Sequence, residues 1–226
     1  MRQPTIVAII PAYNESETVG GVIAAIKKEN VVRHIVVVDD GSSDGTSKAA
    51  NVFGAKVIRH PKNRGLGATL ETGFQAARLF DPDAVVTIDA DGQHDAQEMK
   101  KLVQPILDGR ADVVIGSRTK SGEGMPILRR IAVFFGNVFT WMLFGMWSSD
   151  TQSGYRAFSK RALDVMRLRS QRMEVSSEIF QKIARYKLRF EEVPVRSIYT
   201  EYSLAKGQKL SNGVHVMWKL LLRAVE

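Results

Sequence analysis

Three short polar segments carry side chains able to do chemistry: Pro11-Ala12-Tyr13-Asn14-Glu15, Asp39-Asp40-Gly41-Ser42 and Asp89-Ala90-Asp91-Gly92-Gln93-His94. Asp89 and Asp91, with Gln93, offer hard oxygen ligands suited to Mg²⁺ or Mn²⁺, and such an ion neutralises a diphosphate. Asp, Asn, Gly and Ser are also common turn residues, which accounts for any one of these segments alone. It accounts less well for three that each follow an apolar run. A second set is cationic: Arg118 in GSR, Arg129 and Arg130 ahead of a long uncharged run, and Arg156 in SGYR. Guanidinium forks bind phosphate oxygens bidentately. Asp150, Glu174 and Glu178 remain as candidate general bases, Glu178 being equally suited to a helix surface or an arginine pair. His94 suits either a diphosphate contact or a turn.

These residues need a scaffold that gathers them. TIVAII (5 to 10), HIVVVDD (34 to 40), AKVIRH (55 to 60), AVVTIDAD (84 to 91) and DVVIGSR (112 to 118) are short, β-branched and bounded by turn residues, as buried parallel strands are. Between them Val19, Val22, Ile23 and Ile26 fall at i, i+3, i+4, i+7 after caps expected at Asn14 or Ser16. Leu70, Phe74 and Ala77, then Met99, Leu102, Val103 and Ile106, mark two more helical faces. The order βαβα predicts an α/β fold, a mostly parallel sheet flanked by helices, with ligands beyond the carboxyl ends of the strands. All three polar segments then share one sheet edge. Further on, a helix is expected near 174 to 186, a strand within FEEVPVRSIYTE, and an amphipathic helix in GVHVMWKLLLRAVE. Gly65-Leu66-Gly67 lacks the third glycine of a dinucleotide fingerprint and reads as a helix-start turn near phosphate; no Walker A motif occurs.

The 226 residues carry 32 Lys+Arg against 24 Asp+Glu, a formal charge of +8, with 44% hydrophobic residues. That composition is globular, and the charge favours anionic partners. The absence of cysteine excludes disulfides, Cys-ligated zinc, iron–sulfur clusters and thiol catalysis. The N-terminal apolar run stops at Pro11, which suits a buried strand better than a signal peptide. The uncharged run Ile131 to Trp147 would span about 26 Å as a helix, short of a ~30 Å hydrocarbon core, and it contains Gly136, Asn137 and Gly145. It is expected to lie in the membrane interface rather than to cross.

PAYNE, VVDDGSSDGT, DADGQH and GSR in that order resemble the family 2 glycosyltransferases of GT-A fold, in the branch of polyprenyl- and dolichyl-phosphate sugar synthases; the likeness runs from about residue 4 to 210. It implies a single glycosyltransferase domain over 1–226, with a nucleotide-sugar-binding half (1–118) and an acceptor- and membrane-facing half (119–226). The implied reaction is an inverting transfer from a nucleotide-diphosphate sugar, GDP-mannose or a UDP-hexose, to a polyprenyl phosphate at the cytoplasmic face of a membrane. On that resemblance Pro11, Tyr13 and Glu15, with Ala12 beside them, hold base and ribose, Asp40 reads the base, and Asp89, Asp91 and Gln93, with Ala90 between, carry Mg²⁺ or Mn²⁺. Arg118, Arg129 and Arg130 hold the acceptor phosphate, and Asp91 and these arginines form the catalytic set. Where mannose synthases present an arginine near the C-terminus, this chain has Tyr202-Ser-Leu-Ala-Lys206-Gly-Gln-Lys209, so Lys206 or Lys209 takes that phosphate role, and the stretch looks closer to users of UDP-sugars.

A phosphate acceptor needs cations, because a monoester with a second pKa of about 6 is already an anion, whereas a sugar hydroxyl needs a base. Two rival enzymes are a transferase to a saccharide hydroxyl and a sugar-1-phosphate nucleotidyltransferase; the latter should open with a Gly-rich segment where PAYNES stands. A nucleic-acid-binding module would use the positive charge but leaves the acidic segments unexplained, and no nucleic-acid partner is expected.

Overall fold

The computed structural model describes residues 3–121 and 127–198. All five expected strands form: β1 (Ile6–Ala12), β2 (His34–Asp39), β3 (Lys56–Arg59), β4 (Ala84–Thr87) and β5 (Val113–Ser117). Two more join them, β6 (Arg156–Ser159) and, within the expected FEEVPVRSIYTE, β7 (Phe190–Pro194), in the order β3-β2-β1-β4-β6-β5-β7. Every adjacent pair is parallel except β4 with β6 and β6 with β5. The strand within SGYRAFS was not anticipated, and its reversed direction brings its first residues to the edge where its neighbours end. That edge is where the three polar segments lie.

The continuous apolar strands are explained by cover on both faces. Ile6, Ala8 and Ile10 of β1 pack with Val19, Val22, Ile23 and Ile26 of α1 (Val19–Lys28) and Met99, Leu102, Val103 and Ile106 of the helix Met99–Leu107. Val7 and Ile9 turn the other way, onto Leu70, Phe74 and Ala77 of the helix Leu66–Arg78 and Ile179, Phe180 and Ile183 of the helix Val175–Arg185. In chain order the helices are α1, α2 (Thr46–Val52), α3 (Leu66–Arg78), α4 (Met99–Leu107), α5 (Arg118–Ser121), α6 (Ile127–Phe144), α7 (Lys160–Val165) and α8 (Val175–Arg185). The expected caps of α1 are corrected. Its N-cap is Thr18, without a side-chain cap bond, because Asn14 and Ser16 are bonded to the loop after β2 instead.

The uncharged run is largely α6, which stops before Gly145 at φ +66°. No helix among the described residues is long and apolar enough to cross a membrane. The expected amphipathic helix over 213–226 lies outside the described residues.

Where β5, β6 and β7 meet, Asp112 is 1% exposed and acts as the joint. Its Oδ2 accepts the backbone N–H and Nε–H of Arg189 at 2.9 and 3.0 Å, and its Oδ1 accepts Nη2–H at 3.0 Å, with Arg161 beside it. These bonds from Arg189 hold the Asp112 carboxyl below its ordinary 3.8. A depressed folded-state pKa gives stability that is present above the unfolded value and lost as pH falls through the folded one. Asp112→Asn is therefore expected to be less stable than wild type near pH 7, with the gap closing below about pH 4. Denaturant melts across pH 7 to 3 measure this, and a constant gap would remove the carboxylate from the account.

Candidate functional site

The loops after β1 and β2 are laced together. Asn14 donates its N–H to Ser42 Oγ and accepts the Ser43 N–H at its own Oδ1, both at 2.9 Å, while Glu15 N–H reaches Thr46 Oγ1 at 2.8 Å. Ser16 N–H bonds Asp44 Oδ2. Burial opposes charge on Asp44, but the bonds from Thr46 and Ser16 outweigh it and bring its pKa down to about 2. Pro11 and Ala12 end β1 and Tyr13 stands 45% exposed beyond them.

Asp40, expected to read the base, has another occupation. It is 3% exposed, with Oδ1 against His60 Nδ1 (2.7 Å) and Arg64 N–H (2.9 Å), and Oδ2 accepting Gly65 N–H (2.7 Å). It fastens the 60–65 loop beside the β2 end. Gly41, at φ +74°, allows that approach, since a Cβ there would lie 2.6 Å from the Lys62 carbonyl carbon. The turn at Gly65 does start a helix, but two of the first N–H groups of α3 already have a protein acceptor. Gly67 and Ala68 donate to the Gln171 carbonyl at 2.7 and 3.2 Å.

At the end of β4, Asp89 and Asp91 stand partly exposed, with Ala90 buried between them and Gln93 donating its backbone N–H to Asp91 Oδ1 at 3.0 Å. Burial works against charge on Asp89, but His94, whose Nε2 lies 3.2 Å from Oδ2, and the charges of Arg118 and Arg156 hold its carboxyl below the usual range. Asp91 goes the other way, raised by burial and by the neighbouring Asp89 charge. Two close carboxylates of which one resists ionisation are a donor pair that a divalent cation would relieve. Among the described residues no three Asp, Glu, His or Cys side chains are grouped to hold an ion. Mg²⁺ and Mn²⁺ still fit, since such ions commonly take one or two carboxylates and complete their shell with phosphate oxygens and water.

Of the three arginines assigned to the acceptor phosphate, the structure describes the side chain of Arg118. Arg118, 6% exposed, forms a bidentate pair with Asp150, Nε to Oδ2 at 2.7 Å and Nη2 to Oδ1 at 2.8 Å, and its backbone N–H also reaches Oδ2. Asp150 is thereby committed to Arg118 and is removed as a base. Glu178 is too, because it accepts the N–H groups of Arg169 and Ser170 at 2.8 and 2.7 Å. Glu174 is 8% exposed at the N-cap of α8. Arg129 and Arg130 fall in the first turn of α6 with side chains outside the described set, and Lys206 and Lys209 lie outside the described residues.

Residues 7–166 match the family described as Glycosyl transferase family 2. The chain belongs to that family. An uncharacterised protein of Methanocaldococcus jannaschii is 40% identical, over 97% of this chain and 92% of that one. The UDP-N-acetylglucosamine–dolichyl-phosphate N-acetylglucosaminyltransferase of Methanococcus voltae is 36% identical, over 98% and 97%. Glucosyl-3-phosphoglycerate synthase from Mycobacterium tuberculosis, crystallised with Mn²⁺, UDP and phosphoglyceric acid, superposes with a TM-score of 0.76 at 22% identity, covering 98% of this chain and 78% of that one; this likeness shows the GT-A fold.

In the glycosyltransferase some supporting residues were not singled out beforehand. Asn137 of α6 donates to the Ser149 carbonyl at 2.7 Å and accepts the Thr151 N–H at 3.0 Å. Glu192 of β7 receives Ser148 Oγ, Ser149 N–H and Lys120 Nζ, which keep it ionised despite burial. Together they seat the 148–151 loop that carries Asp150. An Asn inside an uncharged helix was the one visible signal, and Glu192 gave none.

Proposed function

We propose that this glycosyltransferase moves one sugar from a nucleotide-diphosphate sugar to a polyprenyl phosphate, with inversion, at the cytoplasmic face of a membrane. The observation that supports the choice of acceptor is the engagement of two of the three candidate bases, Asp150 locked to Arg118 and Glu178 to a backbone turn, while the third, Glu174, is buried at the N-cap of α8. A sugar hydroxyl needs a base near neutral pH, and a phosphate monoester does not. In the transfer, an acceptor phosphate oxygen forms the new bond at the anomeric carbon while the bond to the leaving diphosphate breaks on the opposite side.

Asp89, Asp91 and Gln93 would hold Mg²⁺ or Mn²⁺, which when bound neutralises charge on the leaving diphosphate. The loops after β1 and β2, with Pro11, Ala12, Tyr13 and Glu15, line the donor side, and Asp40 shapes it through the 60–65 loop. Arg129, Arg130 and Arg118 supply the cations for the acceptor, Arg118 with its fork fixed in plane by Asp150. Lys206 is assigned to the donor's phosphates. A UDP-linked donor is supported by the name of the Methanococcus voltae relative. The lipid side is supported by the exposed apolar face of α6 and by a cleft of ≈ 370 Å³ lined by Thr119, Ile131, Phe134, Asn137, Trp147 and Ser149.

A panel of radiolabelled UDP- and GDP-sugars, incubated with polyprenyl phosphate in detergent and divalent metal, tests this. Organic-phase product from a UDP-sugar is expected. Label appearing only in water-soluble glycosides would overturn the acceptor assignment in favour of a saccharide hydroxyl.

A further inference from the structure

The reversed strand β6 does more than complete the sheet. Its antiparallel register with β4 pairs Thr87 with Arg156, and continuing that register past both strands sets Gly154 opposite Asp89. The contact is close: a Cβ built on Gly154 would lie 2.3 Å from Asp89 Oδ2 and 2.4 Å from Oδ1. The Asp89 carboxylate rests on the bare Gly154 backbone. That backbone is itself fixed, because Thr87 Oγ1 donates to the Gly154 carbonyl at 2.8 Å.

The next two residues act on the same carboxylate by other means. The Tyr155 ring, fully buried, lies 5.0 Å from the His94 ring, and its hydroxyl donates to the Asp95 carbonyl at 3.2 Å, so it braces the histidine whose Nε2 meets Asp89. Arg156 is 3% exposed and held by the Thr151 carbonyl and Ser176 hydroxyl, while its Nε has no hydrogen-bond partner among the described residues. A buried guanidinium with an unspent donor is costly unless a negative charge nearby repays it. The charges that offset its burial are those of Asp89 and Asp150.

We propose that Gly154, Tyr155 and Arg156 form one positioning unit for the metal-ligand carboxylate Asp89, setting its place by contact with Gly154 and its orientation through His94, with the buried Arg156 anchoring the unit to Thr151 and Ser176. None of the three needs to touch substrate. Outer-shell partners of this kind change metal affinity by about 10- to 100-fold when lost. The inference rests on the reading of Asp89 and Asp91 as metal ligands, so its test must separate the two.

Mn²⁺ affinity, read by electron paramagnetic resonance with and without UDP, is the measurement, together with circular dichroism and Tm for each variant. Gly154→Ala and Arg156→Met are expected to weaken Mn²⁺ binding at least about tenfold, and Arg156→Lys to recover most of that loss by restoring a donor to Thr151 and Ser176. Phe158→Leu, further along β6 in the core, should lower Tm without moving Mn²⁺ affinity. If Asp89→Asn weakens Mn²⁺ binding but folded Gly154→Ala and Arg156→Met bind like wild type, the positioning unit is overturned and the metal site stands. If Asp89→Asn itself leaves Mn²⁺ affinity unchanged, the metal reading falls and takes this inference with it.

Discussion

Asp91→Ala is expected to lower sugar transfer by about 10³-fold or more, the scale seen when a principal electrostatic stabiliser of a leaving group is removed. It should also abolish the divalent-metal dependence of nucleotide-sugar binding. The fold offers a control that separates this loss from simple damage. Asp91 is partly buried beside Asp89, and both burial and that neighbouring charge disfavour its ionised form. In the metal-free protein the side chain is therefore a strain on the fold rather than a support, as functional groups often are. Metal-free Asp91→Ala should melt no lower than wild type, and the stabilisation that Mn²⁺ with UDP gives wild type should disappear. Calorimetry with and without Mn²⁺ and UDP, beside turnover assays, reads both effects. A variant that keeps full turnover, or wild type fully active in excess EDTA, would sink the metal assignment.

The contrast between Asp89 and Asp91 also shows how far the sequence could be read. That both stand at the end of a buried strand follows from AVVTIDAD alone, since β-branched apolar runs bounded by Asp and Gly leave little choice. That Asp89 would be seated on Gly154 does not follow, because the contact depends on the direction of β6. The strand is four residues long and begins with a buried arginine. Nothing local in SGYRAFS reports whether its neighbours run with or against it. Direction is settled by which edges are left open once the parallel strands have docked, a global property.

Asp40 and Arg118 illustrate the same limit. Their types and positions on the strand-end edge are legible in the sequence, but the buried partner each finds is brought from elsewhere in the chain: the 60–65 loop for Asp40 and Asp150 for Arg118. A carboxylate at a strand end is as well satisfied by backbone N–H groups as by a ligand, and residue type alone does not choose. The α1 cap failed for a related reason. Asn14 and Ser16 had two sets of hydrogen-bonding partners available, and the loop after β2 took them.

Replacing Phe135 and Met142 together by glutamate is expected to reduce partition of the protein onto anionic liposomes by about tenfold or more. Each is worth roughly 1.5–3 kcal/mol if fully buried, and each added carboxylate is repelled by the surface. The choice of residues comes from how α6 sits. Val133, Asn137 and Thr140 are buried, and Asn137 is bonded to the 148–151 loop, so this side of the helix cannot turn outward without breaking those bonds. The opposite side presents Ile131, Phe134, Phe135 and Met142, with Trp141 alongside, and Phe135 and Met142 are 61% and 71% exposed. An amphipathic helix whose exposed side is the apolar one has its polarity reversed relative to a water-facing surface helix, and a lipid interface would satisfy it. The first turn carries Arg129 and Arg130, cations that an anionic surface would attract. The double variant should keep its circular dichroism and its transfer to a short, water-soluble polyprenyl phosphate, while losing transfer to a long-chain acceptor in vesicles. That split separates the two explanations, because Phe135 and Met142 lie on the side of α6 away from Asn137 and the 148–151 loop, so a loss confined to long-chain transfer would point to the surface contact and not to the proposed site. Equal liposome binding and equal long-chain transfer by wild type and variant would show that α6 has no part in the membrane contact.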